Sequence, residues 1–105
     1  MDLDKEVVKF VDEVDKFRKA YYKKHYENLK CPNLTISEGT VFYKLVCDNS
    51  VWGFISKVNK IHKGAPIKVG DLLMAAGWSS PAKNSRGSIL DGTAKYGAFG
   101  PEYLK

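Results

Sequence analysis

The chain has 105 residues, of which 44% are hydrophobic and 28% are charged. This size and composition are typical of one globular domain, and they exclude the low-hydrophobicity, high-charge composition of disordered chains. Seventeen Lys and Arg residues against twelve Asp and Glu residues give a net charge of +5, which favours anionic partners such as nucleic acid. We therefore expect one domain over residues 1–105, and the helix and strand patterns described next predict the α+β class.

The sequence lacks the signals of membrane or secreted proteins. No apolar run approaches the roughly 18 residues of a membrane span, and the first residues alternate acids and bases instead of forming a signal peptide. Cys31 and Cys47 are the only two cysteines, so the disulfide framework of a small secreted domain is not expected. We expect a cytoplasmic protein with reduced thiols and no membrane partner.

The first predicted element is a long N-terminal helix that runs up to Cys31 and Pro32, because a residue before proline avoids helical angles. Acidic residues come early and basic residues late, which suits the helix dipole. Apolar residues recur every three or four positions and form one stripe; they are Leu3, Val7, Phe10, Val14, Phe17 and Tyr21. The stripe predicts either packing on a sheet or a helical contact with a second chain.

The middle of the chain predicts a small antiparallel sheet of about three strands. After a turn-rich segment at 32–39, residues 40–48 and 50–57 are rich in β-branched and aromatic residues and predict a hairpin. Residues 57–68 mix Gly64 and Pro66 with bases, which is typical of an exposed loop. A third strand is expected over 72–76, next to the hairpin.

The segment after the third strand has the pattern of a helix start. Ser80 stands in the position of a cap, Pro81 in the first helical position, and Gly87 where a short helical turn would stop. From Asp91 onward, glycines alternate with aromatic residues. This predicts an irregular Gly/aromatic C-terminal segment that is anchored by its rings.

An anion-binding site is predicted at this helix start. Backbone N–H groups of a first turn attract phosphate, and Ser79, Ser80, Lys83 and Arg86 would surround it while Trp78 offers a stacking face to a base. The bases of the loop would extend this positive surface; they are Lys57, Lys60, His62, Lys63 and Lys68. The structural alternative places Trp78 in the core and leaves Lys83 and Arg86 solvated or paired with Asp71 or Asp91.

Residues with catalytic or metal-binding chemistry are few. His25, Cys31, Cys47 and His62 lack the short spacings that organise a zinc site. Cys47 and His62 are the only nucleophile and base that the hairpin would bring together, and the local sequence marks neither as activated. The sequence contains no phosphate-binding loop and no nucleophile elbow. We therefore expect a non-enzymatic protein without a cofactor or a metal.

Residues 51–91 resemble small accessory proteins of tailed bacteriophages and large DNA viruses. The shared pattern is Gly-Asp followed by Ala-x-Trp-x-x-Pro-Ala-Lys-x-x-Arg, after an aromatic strand; its positions are Phe54, Gly70, Asp71, Ala76, Trp78, Pro81, Ala82, Lys83 and Arg86. Gly77 departs from the pattern, which usually has serine there, and the loop at 59–69 is longer. The resemblance implies a viral accessory protein in the host cytoplasm or the virion, and it transfers no catalytic residue.

Two functions are predicted. The first is binding of nucleic acid or a nucleotide through the basic loop and the segment from Trp78 to Arg86. The alternative is a protein-interaction module, either a virion component or an inhibitor of a host factor, that uses the long helix. Both are compatible with a monomer or a homodimer. An exposed Trp78 would make its segment a site, whereas a buried one would make it chiefly a folding signature.

Overall fold

The computed structural model describes residues 3–26, 28, 30–47, 50–78, 80–97 and 100–101. The helix α1 spans Leu3–His25. The strands are β1 (Leu34–Glu38), β2 (Phe42–Cys47), β3 (Ser50–Ser56), β4 (Lys60–His62), β5 (Ala65–Ile67), β6 (Asp71–Gly77), β7 (Ser80–Ser88), β8 (Tyr96–Gly97) and β9 (Gly100–Pro101).

Five strands form the main sheet, in the order β1-β2-β3-β6-β7, and every neighbouring pair is antiparallel. The α+β class and the antiparallel sheet are confirmed, and β2, β3 and β6 correspond to the three expected strands. The prediction of about three strands is too low, because β1 and β7 were expected to be a turn-rich segment and a helix start.

The strand β1 pairs with β2 along its whole length, from Leu34 opposite Cys47 to Glu38 opposite Tyr43. Leu34 is buried and Ile36 is half-buried, whereas Thr35 and Ser37, which alternate with them, are exposed. This alternation is the signature of a strand with one covered face. It is only five residues long, so the nearby Pro32 and Gly39 masked it in the sequence.

The helix packs on one face of the sheet, which we call the helix face and define by Tyr43, Leu45, Ile55 and Leu72. The contacting residues of α1 are at most 8% exposed; they are Val7, Phe10, Val11 and Val14. The packing interpretation of the apolar stripe is therefore confirmed for the first half of the helix. Farther along, Phe17 is 45% exposed and touches the Tyr96 ring edge-on.

The helix ends at His25, earlier than predicted. The N–H group of Tyr26 donates to the Tyr22 carbonyl at 2.7 Å and closes the last turn. The chain must then return along α1, because the guanidinium of buried Arg18 donates to the Pro32 carbonyl at 2.9 Å. A helix that continued to Cys31 would carry Pro32 away from Arg18.

The opposite face of the sheet, which we call the open face, contains Phe42, Lys44, Phe54 and Leu73. The hairpin of β4 and β5 covers part of it, with Ile67 2% and His62 9% exposed. Residues 60–67 are thus not the exposed loop that the sequence predicted. Lys63 and Gly64 both have positive φ, 51° and 85°, which is the geometry of a tight two-residue hairpin turn.

The predicted helix start at Pro81 is wrong, because Ser80–Ser88 form the edge strand β7. Pro81 is opposite Ala75 on β6, and an edge strand tolerates proline since its missing N–H group need not serve a second neighbour. The pairing of β6 and β7 shifts register three times, so the strand is interrupted by bulges. Pairing with β6 outweighs the weak strand propensity of these small polar residues.

The C-terminal segment is anchored by a ring, as predicted, although β8 and β9 replace part of the irregular chain. Tyr96 lies edge-on to Phe10 at 5.4 Å and to Trp52 at 5.8 Å between ring centres. Burial raises the pKa of its hydroxyl, and the nearby Glu13 carboxylate adds to that increase. The segment therefore extends the apolar core on the helix face.

Candidate nucleic-acid interface

Trp78 is exposed, and it follows directly after β6. Its relative exposure is 56%, against 4% for Trp52, the other tryptophan. The alternative that places Trp78 in the core is therefore wrong. A large exposed ring next to a sheet face can accept a flat ligand such as a base.

The ammonium group of Lys44 contacts the Trp78 ring. It lies on β2, and its Nζ is 4.5 Å from the centre of the Trp78 ring, which is a cation–π contact. The sheet pairs Lys44 with Ser37 on β1 and with Phe54 on β3, so its side chain belongs to the open face. One side of the Trp78 ring is thereby held against a positive charge.

Sequence reasoning did not select Lys44 as a site residue. The available signal was its position in β2, where it shares a face with Phe42 and Val46. A charged residue between two apolar ones on a strand indicates that this part of the face is not covered. The contact with Trp78, which lies beyond β3 in the sheet, could not be inferred from local sequence.

The structure joins the β4–β5 hairpin to the segment after Trp78. Nζ of Lys63 donates to Oγ of Ser80 at 3.0 Å and to the Pro81 carbonyl at 2.8 Å. Nε2 of buried His62 lies 3.1 Å from the same carbonyl and carries a proton, because a carbonyl oxygen can only accept. Lys63 and Ser80, two predicted site residues, thus meet near Trp78.

The two predicted bases of the segment after Trp78 are Lys83 and Arg86. Lys83 is exposed in the bulged part of β7. Arg86 donates to the carbonyl of Asn84 and approaches the sulfur of Met74 at 3.9 Å, on the same side of β6 as Leu72. Arg86 therefore contacts a residue on the helix side of the sheet.

The remaining predicted site residues are Lys60, Lys68 and Ser79. Lys60 and Lys68 are exposed at the two ends of the β4–β5 hairpin. Ser79 lies outside the described residues. Since no helix begins at Pro81, the predicted anion site at a helix N-terminus, with Ser80 as its cap, is wrong. In place of that site, the structure has the exposed Trp78 ring at the open face of the sheet, with Lys44 and Lys63 nearby.

A groove opens on the open face beside Lys44. It measures about 310 Å³ and lies between the β1–β2 turn and β3. Its walls are Ser37, Glu38, Gly39, Thr40, Val41, Phe42, Lys44 and Phe54. Nζ of Lys57 lies 2.5 Å from Oε2 of Glu38 and 2.8 Å from the Gly39 carbonyl, which fixes the β1–β2 turn.

The candidate metal ligands and nucleophile are engaged elsewhere. His25 stacks on Tyr21 at 4.3 Å between ring centres, and the Cys47 sulfur lies 2.6 Å from a guanidinium nitrogen of Arg18. Within the described ranges, no three His, Cys, Asp or Glu side chains come together as metal ligands. In the same part of the chain, no helix is long and apolar enough to span a membrane.

Comparison of the chain with protein-family models, with curated proteins and with solved structures finds no match.

Proposed function

We propose that this protein binds single-stranded nucleic acid on the open face of its sheet. A base stacks on Trp78, and the strand's phosphates lie near Lys44 and Lys63. The observation that carries the proposal is the exposed Trp78 ring held at 4.5 Å from the Lys44 ammonium. Binding is the whole of the proposed activity, without a catalysed reaction.

A single strand fits this face better than a duplex. The bases of a duplex are stacked on each other, so an aromatic side chain reaches a base face only where the strand is open. Stacking on an aromatic ring does not depend on base identity, because every base has a π-face. We therefore expect binding with weak sequence preference.

The charge of the chain supports the same ligand. The net charge is +5, and Lys60, Lys63, Lys68 and Lys83 are exposed on the β4–β5 hairpin and on β7. Lysines near a phosphate backbone release its condensed counterions, which strengthens binding at low salt. Arg86, which contacts Met74 on the helix side of the sheet, is not counted with these lysines.

Tryptophan fluorescence tests the proposal directly, since Trp52 is buried and Trp78 is not. Titration with oligothymidylate at low salt should quench the emission of the parent protein. Trp78→Leu removes this reporter, so its binding is measured by fluorescence anisotropy of a labelled oligonucleotide. It should be about 5- to 150-fold weaker, for a stacking contribution of roughly 1–3 kcal/mol. Tyr26→Leu is the matched control, because Tyr26 is 39% exposed but lies at the end of α1. Undetectable binding of both DNA and RNA single strands at low salt would refute the function.

The alternative, a protein-interaction module that uses the helix, has weaker support. Four apolar residues of α1 are buried against the sheet and cannot contact a second protein. What remains exposed includes Val8 and Phe17, and Phe17 already contacts Tyr96. Origin in a virus and action in a host cell or virion rest on the resemblance of residues 51–91 alone.

A further inference from the structure

We propose that the groove beside Lys44 holds a second base of the strand whose first base stacks on Trp78. This inference rests on the proposed function, since it assigns the groove to the same ligand. At about 310 Å³, the groove has the size of a small ligand pocket. It therefore has room for one base with part of its sugar.

The walls of the groove suit the chemistry of a base. Phe54 is buried and Phe42 is half-buried, and their rings meet edge-on at 5.9 Å to form an apolar side. Ser37 and Thr40 are exposed and carry hydroxyl groups. A base likewise combines apolar faces with a polar edge, and hydroxyl groups both donate and accept hydrogen bonds.

The charges at the groove favour a ligand that carries phosphate. Among the residues lining it, Glu38 and Lys44 are charged. The Glu38 carboxylate is 2.5 Å from the Lys57 ammonium, so its repulsion of an anion is largely cancelled. Lys44 is then the charge that a phosphate meets first.

Lys44 also connects the two base positions. It lines the groove and lies 4.5 Å from the centre of the Trp78 ring. A phosphate held at Lys44 is therefore flanked by a base on Trp78 and a base in the groove. This order of base, phosphate and base is that of a dinucleotide.

The test compares ligands that keep the same phosphates and differ in one base. Trp78 fluorescence is titrated with the thymidine dinucleotide d(pTpT) and with two analogues, each of which lacks one base. Each analogue should bind about tenfold more weakly than d(pTpT), the loss expected for one stacked base. A protein variant that narrows the groove should remove only the affinity that comes from the groove base, and so distinguish that loss from the loss of the base on Trp78.

Thr40→Leu narrows the groove, whereas Thr35→Leu changes the same residue type on β1, on the open face but outside the groove. Thr40→Leu should weaken d(pTpT) about tenfold and leave the analogue without the groove base unchanged. Thr35→Leu should bind all three ligands like the parent protein.

Two results overturn the inference in different ways. If one analogue binds as tightly as d(pTpT), or if Thr40→Leu has no effect, the groove holds no base while stacking on Trp78 stands. If neither d(pTpT) nor longer oligothymidylate binds, the proposed function fails together with the inference.

Discussion

The ammonium group of Lys44 on β2 lies 4.5 Å from the ring centre of Trp78, which follows β6, so the contact reaches over β3. A cation–π contact of this kind contributes about 0.5–1 kcal/mol at an exposed site. Its effect is chiefly geometric, because it orients the indole against the sheet while more than half of Trp78 stays exposed.

Replacing Lys44 should change the salt dependence of binding. If its ammonium meets a phosphate, Lys44→Gln should reduce the slope of log K against log salt by about 0.7, the value for one phosphate contact on a single strand. Fluorescence anisotropy of a labelled oligonucleotide at several salt concentrations gives this slope. Lys24→Gln, at an exposed position of α1, should leave it unchanged. An unaltered slope in Lys44→Gln would place the phosphates elsewhere.

Asp15 should stabilise the fold at neutral pH and less in acid. Its carboxylate accepts from Arg18 at 3.2 Å and from the Leu34 N–H group at 3.3 Å, and it pairs with Lys19 at 2.8 Å. Burial alone would raise its pKa, but the hydrogen bonds from Lys19 and Leu34 and the charges of Lys19 and Arg18 bring the pKa below the ordinary value. Asp15→Asn should lower the free energy of unfolding by about 2 kcal/mol at neutral pH.

Because the folded-state pKa of Asp15 is depressed, its contribution is complete above the ordinary pKa near 3.8 and is lost as the pH falls through the folded value. Urea unfolding at neutral pH and at about pH 3 should therefore show the gap between parent and Asp15→Asn shrinking. Asp12→Asn breaks only an exposed pair with Lys16 and should matter little. A gap that is constant with pH contradicts the assigned role.

Trp52 should tolerate phenylalanine better than its burial suggests. Its Nε1 is buried and has no hydrogen-bond partner among the residues that the structure describes. Trp52→Phe removes this donor, whose burial costs about 1–3 kcal/mol, and so offsets the lost packing. We expect a net change in the free energy of unfolding below about 1 kcal/mol, against about 3–5 kcal/mol for Trp52→Ala. Equal losses in both variants, measured by urea unfolding, would contradict this.

Gly87 and Gly92 should respond differently to alanine, although both have positive φ, 100° and 78°. An added Cβ at Gly87 would overlap the carbonyl oxygen of Thr93, whereas at Gly92 it meets no described atom within 4 Å. Gly92→Ala should cost about 1 kcal/mol, and Gly87→Ala about 3 kcal/mol or more because steric overlap adds to backbone strain. Thermal unfolding of the two variants provides the comparison, and similar melting temperatures would count against it.

Elements with a local pattern could be predicted from the sequence, and elements that form only by pairing with another strand could not. The spacing of Val7, Phe10 and Val14 identified the helix and its buried side without knowledge of the sheet. In contrast, Ser80-Pro81 has the residues of a helix start, and only its pairing with β6 makes it a strand. The helix boundary was missed for the same reason, since the return of Pro32 to Arg18 is a tertiary contact.

The candidate site divides in the same way. Trp78 could be selected because a tryptophan beside Ser, Pro and Lys is distinctive in a sequence. Its partner Lys44 could not, because 33 residues separate the two along the chain and the sheet alone brings them together. Conversely, Arg86 is close to Trp78 in sequence, yet the alternation and bulges of β7 turn it toward Met74.

The interrupted pairing of β7 also bears on how the protein behaves at high concentration. An edge strand with regular, flat hydrogen-bonding groups is a template on which a second copy can add its own strand, and this is a common route to aggregation. This edge contains Pro81, the exposed Lys83 and three register shifts, and each of these disfavours pairing with a strand of another copy. The same irregularities that hid β7 in the sequence therefore protect the sheet from growing into fibres through this edge.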